Sequence, residues 1–275
     1  KECLTKHARK VGAEIVNHVT ITELLVKDGK AVGAIGISTQ YDQPELVLFQ
    51  AKSIVMTTGG AARMYPNLNP AFLCDAALCP SNGAGAAIAY RAGARLVNLD
   101  VPVVHAGPAM FQRGGKGTWM GLLTDIDGKP IGPFDIKPTR AQGDVTSDVW
   151  PSVFTDKIKD GSGPVYMNCS VLSDDDLAYQ RVAFVSEGIS SINEYLDQKG
   201  LDLKHQMVEF STYEANFVGR GADIDENGAT SLPGLFAAGD MVGSINGFVT
   251  GAAVIGMIAG ESAAAYSQDQ SLADI

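Results

Sequence analysis

The hydrophobic positions of this chain fall into short apolar runs separated by turns rich in glycine and polar residues. Residues 13–29 contain two stretches rich in β-branched side chains and end at an Asp-Gly turn, after which Lys30–Ser38 is predicted to pair back as a hairpin strand. Leu46–Gln50 and residues 51–60 predict two further strands, the second buried and ending in paired glycines. The first part of the chain is therefore expected to form a sheet.

Helical patterns lie between and after these strands. Residues 1–12 look like the second half of a helix that stops at a glycine, and residues 81–93 predict a capped helix of small residues, followed by a strand at 96–99. Residues 177–188 and 191–199 also have helical periodicity. Because the chain has no initiator methionine, we expect a fragment or a processed chain.

The C-terminal region carries the most informative pattern. Residues 232–240 predict a short buried strand and a sharp turn ending in Asp240, and the small-residue run 251–260 predicts a helix that begins with glycine. At the mouth of a parallel sheet, this carboxylate would meet a ribityl or ribose hydroxyl. The N-terminal amides of the helix would face partial negative charge, such as a flavin carbonyl. The pattern therefore indicates a flavin site.

The composition changes in the middle of the chain. Glycine and proline become dense after residue 101, and after residue 209 the pattern of the first part returns. This order predicts an α/β chain (α+β overall), in which a second domain is inserted between two parts of one sheet domain. The sheet domain is expected to comprise residues 1–100 and 209–275, and the inserted domain residues 101–208.

Composition and charge exclude several classes of function. With 45% hydrophobic and 19% charged residues, the 275-residue chain can bury a sizeable core. A net charge of −10 argues against nucleic-acid binding, which needs a basic surface, although a local positive pocket for an anionic substrate stays compatible with it. The spacing of the four cysteines fits neither a zinc nor an iron–sulfur site, so no metal is expected. The apolar run 251–260 is short for a membrane span, and we expect a cytoplasmic protein without direct membrane insertion.

Four segments, in this order, resemble the flavoprotein subunits of succinate dehydrogenase and fumarate reductase, together with the related adenylylsulfate reductase flavoprotein. They are residues 54–65, 86–94, 161–167 and 233–240. The resemblance implies a Rossmann-like FAD-binding domain interrupted by an α+β capping domain that closes over flavin and substrate. It also implies FAD as cofactor, a small anionic substrate, and an iron–sulfur or cytochrome partner for electron transfer.

One part of the family pattern is not found in the sequence. The family begins with a strand, a Gly-x-Gly-x-x-Gly turn and a helix that hold the FAD pyrophosphate. The nearest match, which starts at Gly83, fails at the third glycine. The resemblance therefore implies an N-terminally truncated fragment with an incomplete FAD-binding domain, and we expect this chain alone to bind FAD weakly or not at all.

The resemblance also assigns cofactor contacts. Gly59 and Gly60 would let the backbone approach the cofactor, although a plain tight turn is the alternative. Asp240 would be the flavin-side acid or a helix N-cap, and the amides of Val254 and Ile255 would meet the flavin unless these residues only pack in the core. The full predicted set is Ile21 (beside the adenine), Thr57, Thr58, Gly59, Gly60, Gly239, Asp240, Val254 and Ile255.

The substrate site departs from the succinate and fumarate enzymes. His105 matches the substrate-binding histidine, with a loop histidine as the alternative, but Ser147 stands where the proton-donating arginine is expected. The later histidine and arginine of the dicarboxylate clamp are also replaced, which argues against simple fumarate reduction. Arg113 and Arg220, which lie beside glycines, could hold an anion instead, or could be surface loop residues. The predicted catalytic residues are His105, Arg113 and Arg220.

Three functions are compatible with these residues. The first is a two-electron flavin oxidoreductase acting on a small polar anion. The second is sulfur-oxyanion chemistry of the adenylylsulfate reductase type, in which sulfite adds to the flavin and an iron–sulfur partner supplies electrons. The third is a flavin electron-transfer subunit whose own substrate site has decayed. The two replaced arginines favour this function, whereas a full capping domain argues against it.

Overall fold

The computed structural model describes most of the chain, as eleven ranges: 2–40, 43–60, 82–100, 103–108, 119, 121–131, 137–141, 152–186, 190–216, 219–243 and 248–275. The chain forms two compact units. Unit 1 comprises Lys1–Gly60, Gly83–Leu99 and Val218–Ile275, and unit 2 comprises Ala61–Asn82 and Asp100–Phe217.

Unit 1 begins with a helix and an antiparallel sheet. Helix α1 spans Glu2–Lys10 and precedes strands β1 (Val19–Lys27), β2 (Lys30–Ser38) and β3 (Leu46–Gln50), which pair in the order β1-β2-β3. The predicted hairpin is confirmed, and its turn has positive φ at both central residues, 50° at Asp28 and 71° at the glycine after it, as a type I′ turn requires. Two strand-like stretches were expected in residues 13–29, but only Val19–Lys27 of this range forms a strand, β1, which pairs with β2.

Unit 1 also contains two small two-stranded sheets. Strand β4 (Ile54–Met56) pairs in parallel with the later strand β11 (Leu235–Ala237). Strand β5 (Leu96–Val97) pairs antiparallel with β10 (Gly221–Ala222). Buried side chains from β4, β11, the helix between β4 and β5 and the turn after β11 form the core here, including Met56, Ile88, Ala89, Leu235, Ala237 and Met241.

Two helices complete unit 1, and both begin differently from the sequence-based expectation. Helix α2 spans Ala84–Arg91, within the predicted residues 81–93, and its N-cap Gly83 has no side chain that could make a capping hydrogen bond. After a single 3-10 turn at Gly239–Met241, the last helix (α6) spans Phe248–Gln268 and begins three residues before the glycine that was expected to open it.

Unit 2 is built on a four-stranded antiparallel sheet with helices beside it. The strand order is β6-β9-β8-β7, and the core is aromatic and aliphatic, with Trp119, Phe154, Phe184 and Phe210 almost completely buried. The strands are β6 (Val103–Pro108), β7 (Leu123–Thr124), β8 (Val165–Met167) and β9 (Val208–Asn216). The helices in the described part of this unit are α3 (Ser152–Lys159), α4 (Asp174–Ser186) and α5 (Ser190–Lys199).

Strand β9 shows where the hydrophobic pattern misleads. The pattern grouped the residues after 209 with the first domain, whereas β9 pairs with β6 and β8 inside unit 2. These partners lie far away in the sequence, so no local periodicity reveals them.

Candidate functional site

The parallel pairing of β4 and β11 brings two distant glycine turns together. The amide of Ile54 donates to the carbonyl of Gly234 at 2.8 Å, and the amide of Ala238 donates to the carbonyl of Met56 at 3.0 Å. The carboxyl ends of both strands therefore lie side by side. The chain leaves them through Gly59 and Gly239, whose φ angles of 77° and 68° favour glycine over any residue with a Cβ.

These two turns and the last helix line one cavity of about 430 Å³, all within unit 1. Pockets that bind cofactors and other small molecules have volumes of roughly 300–1,000 Å³. Polar side chains are contributed by Thr57 and Asp240. Besides these two, the lining residues are Gly59, Ala238, Gly239, Val249, Ala252 and Gly256.

The first turns of α6 form one wall of this cavity. Val249, Ala252 and Gly256 are spaced by three and four residues and therefore share one face of the helix. Val249 is 85% exposed, so the cavity is open at this end. The first four amides of a helix have no partner within it and carry the positive end of its dipole, which favours an electron-rich acceptor at this wall.

Four predicted cofactor residues thus meet at one place, namely Thr57, Gly59, Gly239 and Asp240. A Cβ added to Gly59 would meet no atom within 4 Å, and one added to Gly239 would come only to 3.7 Å from the Ala252 Cβ. The open space in front of these glycines lets a flat ligand approach the backbone closely. A ring system with polar edges fits this lining, because backbone groups, one hydroxyl and one carboxylate are the groups available to bind it.

Thr58 has a different environment from its two neighbours. Its hydroxyl donates to the sulfur of Met241 at 3.0 Å, and it packs so closely on α2 that a Cβ added to Gly85 would lie 1.8 Å from the Thr58 Oγ1. Thr58 is therefore a packing residue between β4, β11 and α2, while Thr57 and Gly59 line the cavity.

Two other predicted residues lie apart from the cavity lining. Ile21 lies in β1 opposite Gly36, and its Cδ1 would be 3.1 Å from a Cβ placed on that glycine, so the side chain packs within the antiparallel sheet. Gly60 directly follows the lining residue Gly59 and is half-buried.

Val254 and Ile255 lie in the interior of α6. Their amides lie beyond the first turn and donate to carbonyls four residues earlier, whereas the amides without a partner in the helix are those of its first turn. At 100° per residue, Val254 lies on the opposite side of the helix from the cavity face and is 52% exposed, whereas Ile255 packs against the core around Phe236 and Ala238.

Four lining residues were missed from the sequence, namely Ala238, Val249, Ala252 and Gly256. The spacing of the three helical ones is a recognisable signal, because small residues at i, i+3 and i+7 form a flat helix face. That signal is usable only once the start of the helix is known, and the expected start was three residues too late.

The structure describes two of the three predicted catalytic residues, and these two lie in different units. The backbone of His105 lies in β6 opposite Tyr213, in unit 2, and Arg113 lies outside the described residues. Arg220 is half-buried in unit 1, directly before Gly221. A Cβ on Gly221 would lie 2.1 Å from the carbonyl oxygen of Met241, so this glycine brings the Arg220 backbone close to the turn that carries Asp240.

Two further properties of the described residues bear on function. Within the ranges given above, no group of three or more His, Cys, Asp or Glu side chains is arranged to hold a metal ion. The segment Val249–Gln268 is, by length and composition alone, long and apolar enough to cross a membrane. Ala259 and Ala263 of this segment are nonetheless buried against Phe236 and Ala238, so one face of α6 packs on β11.

The comparisons with a family model and with curated proteins both indicate an FAD-binding protein family. The family model described as "FAD binding domain" matches residues 2–254. One component of the CoM/CoB fumarate reductase of Methanothermobacter marburgensis is 29% identical over 248 residues, which cover 85% of this chain and 41% of that protein. L-aspartate oxidase 2 of Ralstonia nicotianae is 26% identical over 228 residues, which cover 79% of this chain and 38% of that protein.

A solved structure confirms the fold. Adenylylsulfate reductase from Archaeoglobus fulgidus superposes with a TM-score of 0.68 at 19% identity, over 94% of this chain and 47% of that one. The resemblance inferred from the four sequence segments is thus confirmed. The chain spans less than half the length of each of these three proteins.

Proposed function

Because the chain belongs to the FAD binding domain family, we propose that it is part of an FAD-dependent oxidoreductase that exchanges electrons with a small anionic substrate. The observation that carries this proposal is the single cavity shared by Thr57, Gly59, Gly239 and Asp240 at the adjacent ends of β4 and β11. In this proposal unit 1 is the FAD-binding part and unit 2 the capping, substrate-side part.

The cavity residues can hold the cofactor in three ways. The Asp240 carboxylate accepts hydrogen bonds from ligand hydroxyls, and Gly59 and Gly239 let a flat ring lie against the backbone. The unpartnered amides in the first turn of α6 donate to ligand oxygens and stabilise added negative charge there. FAD, when bound, supplies the two-electron redox chemistry.

The substrate class follows from the relatives and from charge. Fumarate and aspartate, which the names of the two relatives specify, are both four-carbon dicarboxylates. Binding such an anion in a chain of net charge −10 needs local cations. We therefore retain His105, Arg113 and Arg220 as the candidate substrate residues, with one of the two arginines supplying the charge that is missing at Ser147.

Partners and location complete the proposal. An iron–sulfur or cytochrome protein would exchange electrons with the flavin, and the complex would operate in the cytoplasm. Co-purification of the tagged protein from its own cells, followed by metal analysis and cell fractionation, tests both statements. Isolation without any redox partner, or from a fraction other than the cytoplasm, would contradict the corresponding statement.

The central experiment measures flavin binding and reactivity in the protein expressed from its complete gene. We expect a yellow protein with stoichiometric FAD, and an Asp240→Ala variant with at least about tenfold weaker FAD binding, since a charge-assisted hydrogen bond contributes about 1.5–3 kcal/mol. Enoates and amino dicarboxylates should change the flavin absorption bands. A colourless protein that takes up no added FAD would refute the proposal.

The same titration separates the alternative chemistries. Bleaching of the flavin bands by sulfite without turnover of any enoate would identify the sulfur-oxyanion function instead. Tight FAD binding without a response to any small acid would identify an electron-transfer subunit with a decayed substrate site. Variants of His105, Arg113 and Arg220 should change substrate response and leave FAD content unchanged, if these residues bind substrate.

A further inference from the structure

Unit 2 contains a second cavity, of about 290 Å³, that the proposed flavin chemistry does not use. It lies between helix α5, the end of strand β8 and the segment that leads into β9. We propose that this cavity binds a compact apolar molecule that carries one ammonium group.

The walls of this amine cavity are apolar and well packed. Ile192, Tyr195 and Leu196 lie on one face of α5, at the i, i+3 and i+4 positions, and Met167 closes the opposite side from β8. Met167, Ile192 and Leu196 are each 1–2% exposed, so these walls are part of the core of unit 2. An apolar ligand that fills the space would remove further hydrophobic surface from water, which favours binding.

The segment that forms the remaining wall is held by its own hydrogen bonds. The amide of Leu201 donates to the carbonyl of Leu196 at 2.8 Å, and the amide of Asp202 donates to the side chain of Gln206 at 2.9 Å. The amide of Lys204 donates in turn to the carboxylate of Asp202 at 2.9 Å. The cavity is therefore preformed, and a ligand does not have to order this segment in order to bind.

The charge at the cavity decides which ligand it accepts. Its charged lining residues are Asp202 and Glu209, and among the residues that the structure describes no Lys, Arg or His lines it. The His205 ring lies 2.6 Å from the other oxygen of Asp202, and this hydrogen bond, together with the Lys204 amide, lowers the pKa of the carboxyl. Glu209 is exposed and, within the described ranges, its carboxylate makes no hydrogen bond or ion pair. Apolar walls with two exposed carboxylates in the lining favour a cation with an apolar body.

The volume limits the size of the ligand. A water molecule occupies about 30 Å³ in the liquid, so 290 Å³ corresponds to roughly ten waters, or to one substituted aromatic ring. This space lies at the lower end of the range of small-molecule pockets. A phenylalkylamine is therefore a suitable probe of the proposed chemistry.

The test compares three probes of equal shape and different charge, namely 2-phenylethylamine, 2-phenylethanol and phenylacetate. Binding to the complete protein is followed by saturation-transfer NMR, which does not depend on the flavin, so the outcome is separate from that of the proposed function. We expect the amine to bind with a Kd on the order of 1 mM, the alcohol more weakly and the acid not at all.

Three variants locate the site. Glu209→Gln should weaken amine binding about threefold and leave the alcohol unchanged, while Glu194→Gln, an exposed residue on α5 that does not line the cavity, should change neither. Leu201→Trp should fill the space and remove binding of all probes. The proposal fails if no probe binds below about 10 mM, if the acid binds as well as the amine, or if the two glutamate variants behave alike. The two glutamate variants change only exposed side chains and should therefore fold. Their comparison tests the proposed amine binding even if Leu201→Trp does not fold.

Discussion

The hydroxyl of Thr58 donates a hydrogen bond to the sulfur of Met241 across 3.0 Å, although the two residues are 183 positions apart in the chain. This contact joins the turn after β4 to the turn after β11. Thr58 also packs directly against Gly85, at the start of α2. One side chain thus fixes three segments of unit 1, and the cavity residues Thr57 and Gly59 on either side of it are held in place as a result.

The contact between Thr58 and α2 leaves no space for a methyl group at Gly85. In a Gly85→Ala variant the new Cβ would lie 1.8 Å from Thr58 Oγ1 and 2.5 Å from Thr58 Cβ, so the helix or the turn has to move. We expect a loss of about 1–3 kcal/mol in the free energy of unfolding, measured by urea denaturation. Gly260→Ala is the matched control, because no atom lies within 4 Å of its added Cβ and it should stabilise the helix slightly.

A double variant shows whether this clash is the cause. Thr58→Gly removes both clashing atoms and also the hydrogen bond to Met241, so alone it should destabilise unit 1. Combined with Gly85→Ala, it should give a loss smaller than the sum of the two single losses, by at least about 0.5 kcal/mol. Additive losses would mean that Gly85 and Thr58 do not interact as the structure indicates.

The helical wall of the cavity can be filled without strain. Ala252→Leu places a larger side chain among the lining residues, next to Gly239, in a helix that favours leucine. In the protein expressed from its complete gene, we expect FAD binding to weaken by at least about tenfold while the melting temperature changes little. Ala253→Leu changes the exposed neighbour outside the lining and should retain FAD binding. Equal losses in both variants would place the flavin elsewhere.

Two loops with the same local geometry offer a matched comparison. The Asp125 carboxylate accepts hydrogen bonds from the amides two and four residues later, and so does Asp225. The fourth residue of each loop is a glycine with positive φ, 79° at Gly128 and 73° at Gly228. Alanine at either position should cost roughly 1–2 kcal/mol in backbone strain.

An added Cβ would also clash with a neighbouring residue at only one of these two glycines, Gly228. A Cβ on Gly228 would be 2.7 Å from the Cβ of Ala259 in α6, whereas one on Gly128 would meet only the end of the Asn168 side chain, at 3.2 Å. We therefore expect Gly228→Ala to lower the melting temperature clearly more than Gly128→Ala, and also to weaken FAD binding through displacement of α6. Equal effects in calorimetry would contradict this packing.

The buried thiol of Cys169 predicts a dependence on alkaline pH. Burial raises its pKa to about 11, against a hydrogen bond with Gln180 that acts in the opposite direction. Because the unfolded thiol ionises near 9.0, the stabilising effect of the neutral form is fully present below pH 9 and is lost as the pH rises towards 11. The loss is roughly 1.4 kcal/mol for each pH unit.

Denaturation at several pH values tests this expectation. A Cys169→Ala variant should lose less stability between pH 9 and 11 than the unchanged protein, after its smaller volume is allowed for by comparison at pH 7. Labelling at pH 8 should modify exposed Cys3 quickly and Cys169 only after unfolding. Fast labelling of native Cys169 would contradict its burial.

The sequence predicts best where the determinants are local. The hairpin of β1 and β2 is confirmed because Asp28 and the glycine after it fit a type I′ turn, and Leu46–Gln50 is confirmed as β3. The turns at Gly59 and Gly239 were recognised for the same reason, since positive φ selects glycine directly.

The remaining features depend on contacts that the sequence pattern does not contain. Thr58 was grouped with Thr57, and only the packing of α2 shows that its side chain turns to Met241 and Gly85. The start of α6 at Phe248 was placed late because glycine was read as its first residue, so the lining residues on its first turns were missed. The long-range pairing of β9 left no periodic signal at all.

The parallel pairing of β4 with β11 has a consequence for how ligand binding and folding are coupled. The two glycine turns are joined through a very long loop of chain, so closing them together carries a large entropic cost. A molecule bound between the two turns links the segment after β4 to the segment after β11. Its binding free energy is added to the stability of the whole unit. Resistance to proteolysis should therefore rise throughout unit 1 when the cavity is filled, far beyond the residues that line it.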